Sequence, residues 1–186
     1  ALDVDGDGDV DILSASSNDD TIAWYENDGA ESFTKRVIST AVDGAYTVFA
    51  LDVDGDGDVD VLSLSSSTGA FTWHENNGSQ SFTARSVDTG VNNGTAVYGR
   101  DVDGDGDVDL MASSFANNAI TWYENDGSES FTKRTLTTSA TGAYAVYASD
   151  LDSDGDVDIL AASAGNDTIS WFPNQKLTPT YTVSFN

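Results

Sequence analysis

Aspartates at alternating positions dominate four nine-residue segments, and they are the residues of this chain best suited to chemistry. The segments, called Asp loops 1 to 4 below, read DVDGDGDVD at 3–11, 52–60 and 101–109, and DLDSDGDVD at 150–158. Asp stands at loop positions 1, 3, 5, 7 and 9 of every copy, and Gly stands at position 6. Because Gly permits a sharp turn, alternating carboxylates in such a loop converge on one point.

A hard divalent cation suits this set of donors. Ca²⁺ takes about six to eight oxygen ligands, and oxygen ligands without His or Cys favour it over zinc or copper. Without a cation, the clustered carboxylates would repel one another by several kcal/mol in total. We therefore predict one structural Ca²⁺ in each loop, bound by the side chains of positions 1, 3, 5 and 9 and the carbonyl of position 7. In Asp loop 1 the side-chain ligands are Asp3, Asp5, Asp7 and Asp11, and the carbonyl ligand is Asp9.

The elements that must position these loops belong to a repeat of 49 residues. The first aspartates of the four loops, Asp3, Asp52, Asp101 and Asp150, are spaced by this period. The same spacing separates the four tryptophans, which are Trp24, Trp73, Trp122 and Trp171. A fixed period of this size indicates one structural unit that is used four times.

The sequence of each unit predicts several short strands. VDILSASS (10–17) has apolar residues on both alternating faces, which predicts a strand that is covered on both sides. TIAWYE (21–26) is β-branched and aromatic, and the turn signal NDG follows it. SFTKRVIS (32–39) carries exposed charges, and the apolar AYTVFAL (45–51) runs directly into the next Asp loop. Each loop is therefore expected to join two strands.

Four short antiparallel strands per repeat, without helical periodicity, are typical of a propeller blade. We predict an all-β fold: a β-propeller of about four blades, as a single repeat domain over 1–186 with units of about 1–44, 45–93, 94–142 and 143–186. A solenoid of stacked hairpins is the alternative. The strand before Asp loop 1 is missing, and TPTYTVSFN (178–186) is interpreted as the outer strand of the last blade. The chain is therefore expected to be cut from a longer protein, as an arc of a larger ring.

The loop pattern D-x-D-G-D-G-x-x-D followed by an apolar strand resembles the FG-GAP/VCBS repeats of integrin-α-like β-propellers. The resemblance covers about four copies and implies most often seven blades, with one Ca²⁺ in the loop between the first two strands of a blade. The Phe-Gly and Gly-Ala-Pro segments that name the family are absent, and Ser153 replaces a Gly in Asp loop 4. The bacterial or algal secreted type is therefore the better comparison.

By this resemblance the ligand residues extend to the other three loops. They are Asp52, Asp54, Asp56, Asp58 and Asp60 in loop 2, Asp101, Asp103, Asp105, Asp107 and Asp109 in loop 3, and Asp150, Asp152, Asp154, Asp156 and Asp158 in loop 4.

Charge excludes several classes of function. The chain has 32 Asp and Glu against 7 Lys and Arg, for a net charge of −25. Such a chain cannot neutralise the phosphates of nucleic acid, and it has no basic patch for anionic lipid. No apolar run approaches the length of a membrane span, and the absence of Cys excludes disulfides and thiolate sites.

Two other interpretations of the Asp loops fit less well. An EF-hand needs Glu at position 12 and flanking helices, whereas this position is Ser14, Ser63, Ala112 and Ala161 and the flanks are strands. A solvated acidic segment would vary in spacing, whereas the four loops share one register between apolar strands.

The remaining candidate residues favour structural roles. The tryptophans are interpreted as packing residues rather than a sugar-stacking set, and His74 fills a slot that holds Tyr or Phe in the other copies. Glu26, Glu75 and Glu124 recur at blade spacing, which favours a role in the turn over a unique catalytic pair. The N-glycosylation pattern occurs at Asn77, Asn93 and Asn166.

These observations predict a calcium-binding, non-catalytic structural or adhesion module of a secreted or cell-surface protein. Its expected partners are a protein or glycan on a cell surface or matrix, copies of itself, or the rest of a larger chain. The alternatives are a lectin-like propeller that binds carbohydrate, and a subunit of an extracellular filament or coat. A propeller-based enzyme is disfavoured, because the sequence offers few polar residues that are not repeated.

Overall fold

A computed structural model describes the chain from residue 2 to residue 174. Over this range the chain forms fourteen β-strands in four small antiparallel sheets, without a helix. The all-β, propeller-type fold is therefore confirmed, and the sheets are called blades 1 to 4 below. The chain divides into two compact units, Ala1–Gly94 and Thr95–Asn186, with blades 1 and 2 in the first and, apart from Gly94, blades 3 and 4 in the second. A single repeat domain over the whole chain stays a prediction.

The first unit contains two sheets whose strands follow one another in sequence order. Blade 1 consists of β1 (Ile12–Ser16), β2 (Thr21–Asn27) and β3 (Phe33–Ser39). Blade 2 consists of β4 (Ala45–Leu51), β5 (Asp60–Ser65), β6 (Phe71–Asn76) and β7 (Phe82–Asp88). Asp loop 2 thus joins the first two strands of its blade, as predicted.

The second unit repeats this topology. Blade 3 consists of β8 (Gly94–Arg100), β9 (Asp109–Ser114), β10 (Ala119–Asn125) and β11 (Phe131–Thr137). Blade 4 consists of β12 (Ala143–Ser149), β13 (Asp158–Ser163) and β14 (Thr168–Phe172). The predicted outer strand of blade 4, at 178–186, lies outside the described residues.

Burial follows the position of a strand within its blade. Every residue of β5 and β9 is buried, as expected for strands with apolar residues on both faces. The outer strands β3, β7 and β11 are mostly exposed and carry the charged side chains. Among the described residues, β1 pairs with β2, and an isolated bridge pairs Leu2 with Asp11.

Neighbouring blades within each unit pack face to face through apolar side chains. In the first unit, Ile22 of β2 is fully buried in a cluster with Ala45 and Val61 of blade 2. In the second unit, Ile120 of β10 lies in a cluster with Ile159 of blade 4. Full burial of one such side chain stabilises a fold by about 1.5–3 kcal/mol, so these clusters hold adjacent blades together.

An irregularity in strand register recurs with the repeat. The pairing of the last two strands of a blade shifts between Ile22 and Ala23 in blade 1, and the same shift follows Phe71 in blade 2 and Ile120 in blade 3. Such a bulge bends and twists the strand locally. Its recurrence at one slot shows that the blades are copies of one backbone unit.

Candidate metal centre

The aspartate at position 1 shapes each Asp loop by accepting hydrogen bonds from the loop backbone. In loop 1, Asp3 Oδ1 accepts from the N–H of Gly6 at 2.8 Å, and its Oδ2 accepts from the N–H of Gly8 at 2.9 Å. Asp52 and Asp101 accept the equivalent pairs, and Asp150 accepts from the N–H of Gly155 at 3.2 Å. The loop is thus wound around its first carboxylate.

Positions 4 and 6 of the loops need left-handed backbone. In loop 1, Gly6 has φ of 77° and Gly8 has φ of 99°. A Cβ at either residue would meet no atom within 4 Å, so conformation rather than space makes Gly the favoured residue. Asp loop 4 keeps the same path with Ser153 at φ of 63°, a conformation that costs a residue with a side chain about 1–2 kcal/mol.

The aspartate at position 9 is fully buried in every loop. In loop 2, Asp60 accepts from the N–H of Val53 at 3.1 Å and from the N–H of Asn76 at 2.7 Å, which ties the loop to the end of β6. Asp11, Asp109 and Asp158 make the same two bonds in their blades.

Burial also sets the acidity of these position-9 carboxyls. Desolvation raises the pKa of Asp60 and of Asp109 to about 6, against the lowering effect of the two backbone hydrogen bonds and the indole N–H of the tryptophan in the same blade. A cation beside such a carboxylate would favour its charged form and lower the pKa again.

The structure brings together the carboxylates of positions 1, 3 and 9. One oxygen from each lies within 4.8 Å of the others in all four loops. The groups are Asp3, Asp5 and Asp11; Asp52, Asp54 and Asp60; Asp101, Asp103 and Asp109; and Asp150, Asp152 and Asp158. The pKa of each position-3 carboxyl is raised, mainly by desolvation and also by neighbouring carboxylates.

The carboxylates of positions 5 and 7 lie outside these groups. In loop 1, Asp7 Oδ1 accepts from the N–H of Asp9 at 2.8 Å. The Asp9 carboxylate lies against Gly29 in the turn after β2, where a Cβ would stand 2.5 Å from its Oδ2. The position-5 residues are Asp7, Asp56, Asp105 and Asp154, and the position-7 residues are Asp9, Asp58, Asp107 and Asp156. Ligation of an ion by any of the five loop positions stays a prediction.

Sequence reasoning missed a set of asparagines that support the centre. Each stands sixteen residues after a position-9 aspartate, and its backbone N–H donates to that aspartate. In three blades its side chain also donates to the carbonyl of loop position 8, at 3.1 Å. The residues are Asn27, Asn76, Asn125 and Asn174. Their spacing by the repeat period was the signal that could have identified them.

The donor set fits a hard divalent cation. Three carboxylates meet in each loop, and carbonyl or water oxygens can complete a coordination number of about six to eight. Each carboxylate oxygen has two lone pairs, so an oxygen that accepts a backbone N–H keeps capacity for a cation. No Cys is present in the chain, and the one His lies buried in β6.

The recurring glutamates have a different role from the one expected. They lie on strands rather than in turns, and each forms an ion pair with an arginine of the outer strand, as in Glu26 Oε2 and Arg36 Nε at 2.7 Å. Glu75 pairs with Arg85, and Glu124 pairs with Arg134. The interpretation as turn residues was therefore wrong. In the register of β2 with β3, Arg36 lies diagonally across from Glu26, which allows the ion pair.

The tryptophans and His74 occupy structural slots. Trp24 and Trp73 are almost fully buried, and Arg85 lies over the Trp73 ring at 5.1 Å. His74 is buried, with Nε2 at 2.9 Å from Ser63 Oγ, and burial lowers its pKa to about 4. The rings of Trp24 and Trp73 are therefore not available for sugar stacking, in agreement with the predicted packing role. Trp122 and Trp171 are partly exposed, and for them the packing role stays a prediction.

In two of the three N-glycosylation patterns, the asparagine lies in an exposed loop. These asparagines are Asn77 and Asn166. At the third pattern, Asn93, the required Thr95 is buried, and its hydroxyl donates to the carbonyl of Ala143 at 2.9 Å. That hydrogen bond disfavours the use of the third pattern. Across the described residues, no helix is long and apolar enough to cross a bilayer.

Comparison with known proteins gives the family and the fold. A profile of the FG-GAP-like repeat matches residues 3–63, 52–112 and 101–161, and each match starts at position 1 of an Asp loop. A search of curated proteins finds no match. A solved lectin of Agrocybe aegerita, described as specifically recognising non-reducing terminal N-acetylglucosamine, superposes with a TM-score of 0.53 at 19% identity. The superposition covers 82% of this chain and 46% of the lectin chain, so this chain spans less than half of that structure. On the three profile matches, the chain belongs to the FG-GAP-like repeat family.

Proposed function

We propose that the chain is a calcium-stabilised, non-catalytic binding module of a secreted or cell-surface protein. The observation that carries this proposal is the convergence of three carboxylates within 4.8 Å in each of four loops. These groups recur identically, whereas a catalytic site would need a singular set of polar residues.

Calcium would stabilise the folded chain, because it would bind the folded state in preference to the unfolded state. A divalent ion would bind the carboxylates that otherwise repel one another, and it would fix the loop between the first two strands of each blade. Extracellular calcium modules usually bind with affinities of about 10⁻⁴–10⁻³ M, which suits a secreted location. The fixed loops would then present a rigid face to a protein or glycan partner.

Calorimetry and thermal melting of the chain in Ca²⁺, Mg²⁺ and excess EDTA test this proposal. We expect about four Ca²⁺ equivalents and a steep loss of melting temperature on chelation. Asp54→Asn should remove one equivalent, because Asp54 belongs to the carboxylate group of loop 2. Asp58→Asn is the matched control, since it removes the same charge from the same loop but keeps the position-7 carbonyl. Identical melting in Ca²⁺ and EDTA would contradict the proposal.

Carbohydrate binding is the second candidate, and it is favoured by the lectin superposition together with a polar cleft in the first unit. The cleft has a volume of about 360 Å³ and is lined by Asp5, Trp24, Glu26, Arg36, Val37, Ser79 and Gln80. Because Trp24 is only 2% exposed, recognition would depend on hydrogen bonds rather than stacking. A glycan array with the parent chain and with the Gln80→Ala variant tests this candidate. Binding that the variant loses would favour it, and an array without binding would exclude it.

A further inference from the structure

A polar cavity of about 230 Å³ lies between Asp loops 1 and 2 in the first unit. Residues 3–6 of loop 1 and residues 57–59 of loop 2 line it, and Asn76, Gly78 and Gln80 complete the lining from the end of β6 and the turn after it. A water molecule takes a share of about 30 Å³ in the liquid, so the cavity has more room than a bare ion fills. It suits the polar end of a side chain or of a similar small molecule.

The lining of this cavity is acidic. Asp3, Asp5 and Asp58 contribute carboxylates, and none of the described residues that line it is Lys, Arg or His. The Asp58 carboxylate is half-buried against Gly78 and accepts no hydrogen bond from the residues that the structure describes. Each of the two loops has five aspartates, so one divalent ion in each would still leave both loops negatively charged. The cavity therefore favours a cationic ligand.

Two further acceptors of the lining residues lack a donor among the described residues. Asn76 is 2% exposed, and its Nδ2 donates to the carbonyl of Val59, whereas its buried Oδ1 has no hydrogen-bond partner. In blade 3 the equivalent atom, Asn125 Oδ1, accepts from the N–H of Gly127 at 3.2 Å. The carbonyl of Val4 likewise accepts no hydrogen bond from the described part of the chain. A buried acceptor without a donor destabilises the fold, so a ligand that donates to it binds favourably.

The second unit shows an N–H donor at the equivalent place. Asn174, the counterpart of Asn76, donates its Nδ2 to the carbonyl of Val102 at 2.6 Å. Val102 is the counterpart of Val4, so this bond crosses from the end of blade 4 to Asp loop 3. In the first unit the Asn76 amide bonds to its own blade instead, which leaves the Val4 carbonyl to a donor from outside the chain. The ligand that fits is therefore cationic and rich in N–H groups.

We propose that the cavity binds the guanidinium group of an arginine side chain or of a free alkylguanidine. A guanidinium has five N–H donors in one plane and no acceptor, which matches a lining of carboxylates, an amide oxygen and a carbonyl. A primary ammonium has the same charge but is compact and strongly hydrated, so it should bind more weakly. The cavity shares Asp5 and Gln80 with the cleft considered above for carbohydrate. The proposal goes beyond the calcium-stabilised module, because it depends on Asp58, which lies outside the carboxylate group of loop 2.

Amide NMR spectra of the full chain in millimolar Ca²⁺, titrated with ethylguanidinium or with propylammonium, test this site. We expect saturable shifts at Gly57 and Gly78, and tighter binding of ethylguanidinium. Asp58→Asn should weaken that binding at least about fivefold, because it removes a charged acceptor. Asp9→Asn is the matched control, since the Asp9 carboxylate lies against Gly29 in the same way but does not line the cavity. The control should bind as the parent does, and the spectra report whether each variant is folded.

The same titration with the peptide acetyl-Gly-Arg-Gly-amide identifies the source of the guanidinium. Tighter binding of the peptide than of ethylguanidinium indicates a protein partner, and equal or weaker binding indicates a free small guanidine. Equal weakening by the two Asp→Asn changes would overturn the proposal, because it would indicate diffuse attraction to an acidic surface. Shifts without saturation, or tighter binding of propylammonium, would overturn it as well. A chain that binds calcium but not ethylguanidinium would overturn this proposal alone and leave the calcium-stabilised module intact.

Discussion

Backbone conformation decides which residue suits position 4 of each Asp loop. Ser153 holds φ of 63° where the other three loops have Gly. We expect Ser153→Gly to increase the free energy of unfolding by about 0.5–1 kcal/mol, since relief of left-handed strain exceeds the added flexibility of the unfolded chain. Urea unfolding measures this difference. Ser128→Gly is the control and should not stabilise the chain, because Ser128 itself does not have a positive φ. Equal effects of the two changes would refute the argument.

Protonation of His74 should make the fold sensitive to mild acid. Burial lowers the pKa of His74 from its ordinary 6.5 to about 4, so the native state holds the neutral ring. Below about pH 6.5 the unfolded chain binds a proton that the native chain does not, and stability therefore falls as pH falls toward 4. Between pH 7 and pH 5 we expect a loss of about 2 kcal/mol from this residue.

The repeat supplies a replacement for this histidine. Blade 3 has Ala112 and Tyr123 where blade 2 has Ser63 and His74. The double variant Ser63→Ala, His74→Tyr should lack the acid-dependent loss, as measured by urea unfolding at both pH values. Asp60 and Asp109, whose raised pKa values act in the opposite direction, are present in both proteins, so the difference between the proteins isolates His74. The same pH dependence in both would show that His74 is not the cause.

The sequence predicted part of the centre at this scale. The alternation of aspartates predicted that the carboxylates of positions 1, 3, 5 and 9 meet, and in Asp loop 2 Asp52, Asp54 and Asp60 do so, whereas Asp56 lies outside the group. The alternation could not show that Asp60 is buried and accepts two backbone N–H groups. The burial of Asp60 and its hydrogen bonds depend on contact between the loop and the end of β6. The sequence of the loop alone does not specify that contact.

At the scale of elements, the buried asparagine at the end of β6 joins that strand to Asp loop 2. Asn76 is 2% exposed, and its side chain donates to the carbonyl of Val59 at 3.1 Å. We expect Asn76→Ala to lower the free energy of unfolding by about 1–3 kcal/mol, because the Val59 carbonyl loses its donor. The exposed neighbour Asn77→Ala is the control, with an expected loss of a few tenths of a kcal/mol. Equal losses, in chemical denaturation, would contradict this role.

The strands could be predicted better than their register. VDILSASS and TIAWYE were predicted at 10–17 and 21–26, and β1 and β2 occupy Ile12–Ser16 and Thr21–Asn27. The pairing of Glu26 with Arg36 was missed, because it depends on the register set by the turn between β2 and β3, in which Glu26 lies opposite Thr34. A shift of one residue changes which side chains meet across a sheet, and the pattern of apolar residues alone does not fix it.

At the scale of the whole molecule, charge opposes folding. A net charge of −25 makes the compact chain repel itself, and monovalent salt screens that repulsion over a Debye length that falls from about 30 Å at 0.01 M to about 3 Å at 1 M. In excess EDTA we therefore expect the melting temperature to rise strongly with NaCl. In millimolar Ca²⁺ the rise should be much smaller, because bound ions already neutralise the densest clusters. Thermal melts across this range measure both slopes, and parallel slopes would contradict the explanation.

The pairing of strands within the blades has a consequence for synthesis. Every strand of blade 2 pairs only with its neighbours in sequence, and the Asp60–Asn76 bond closes a segment of sixteen residues. Contacts between residues that are close in sequence cost little conformational entropy and form quickly. A blade can therefore fold as soon as its outermost strand has left the ribosome. The nascent chain would acquire its structure in steps of one repeat, and within each unit the second blade would pack against the apolar side of the first.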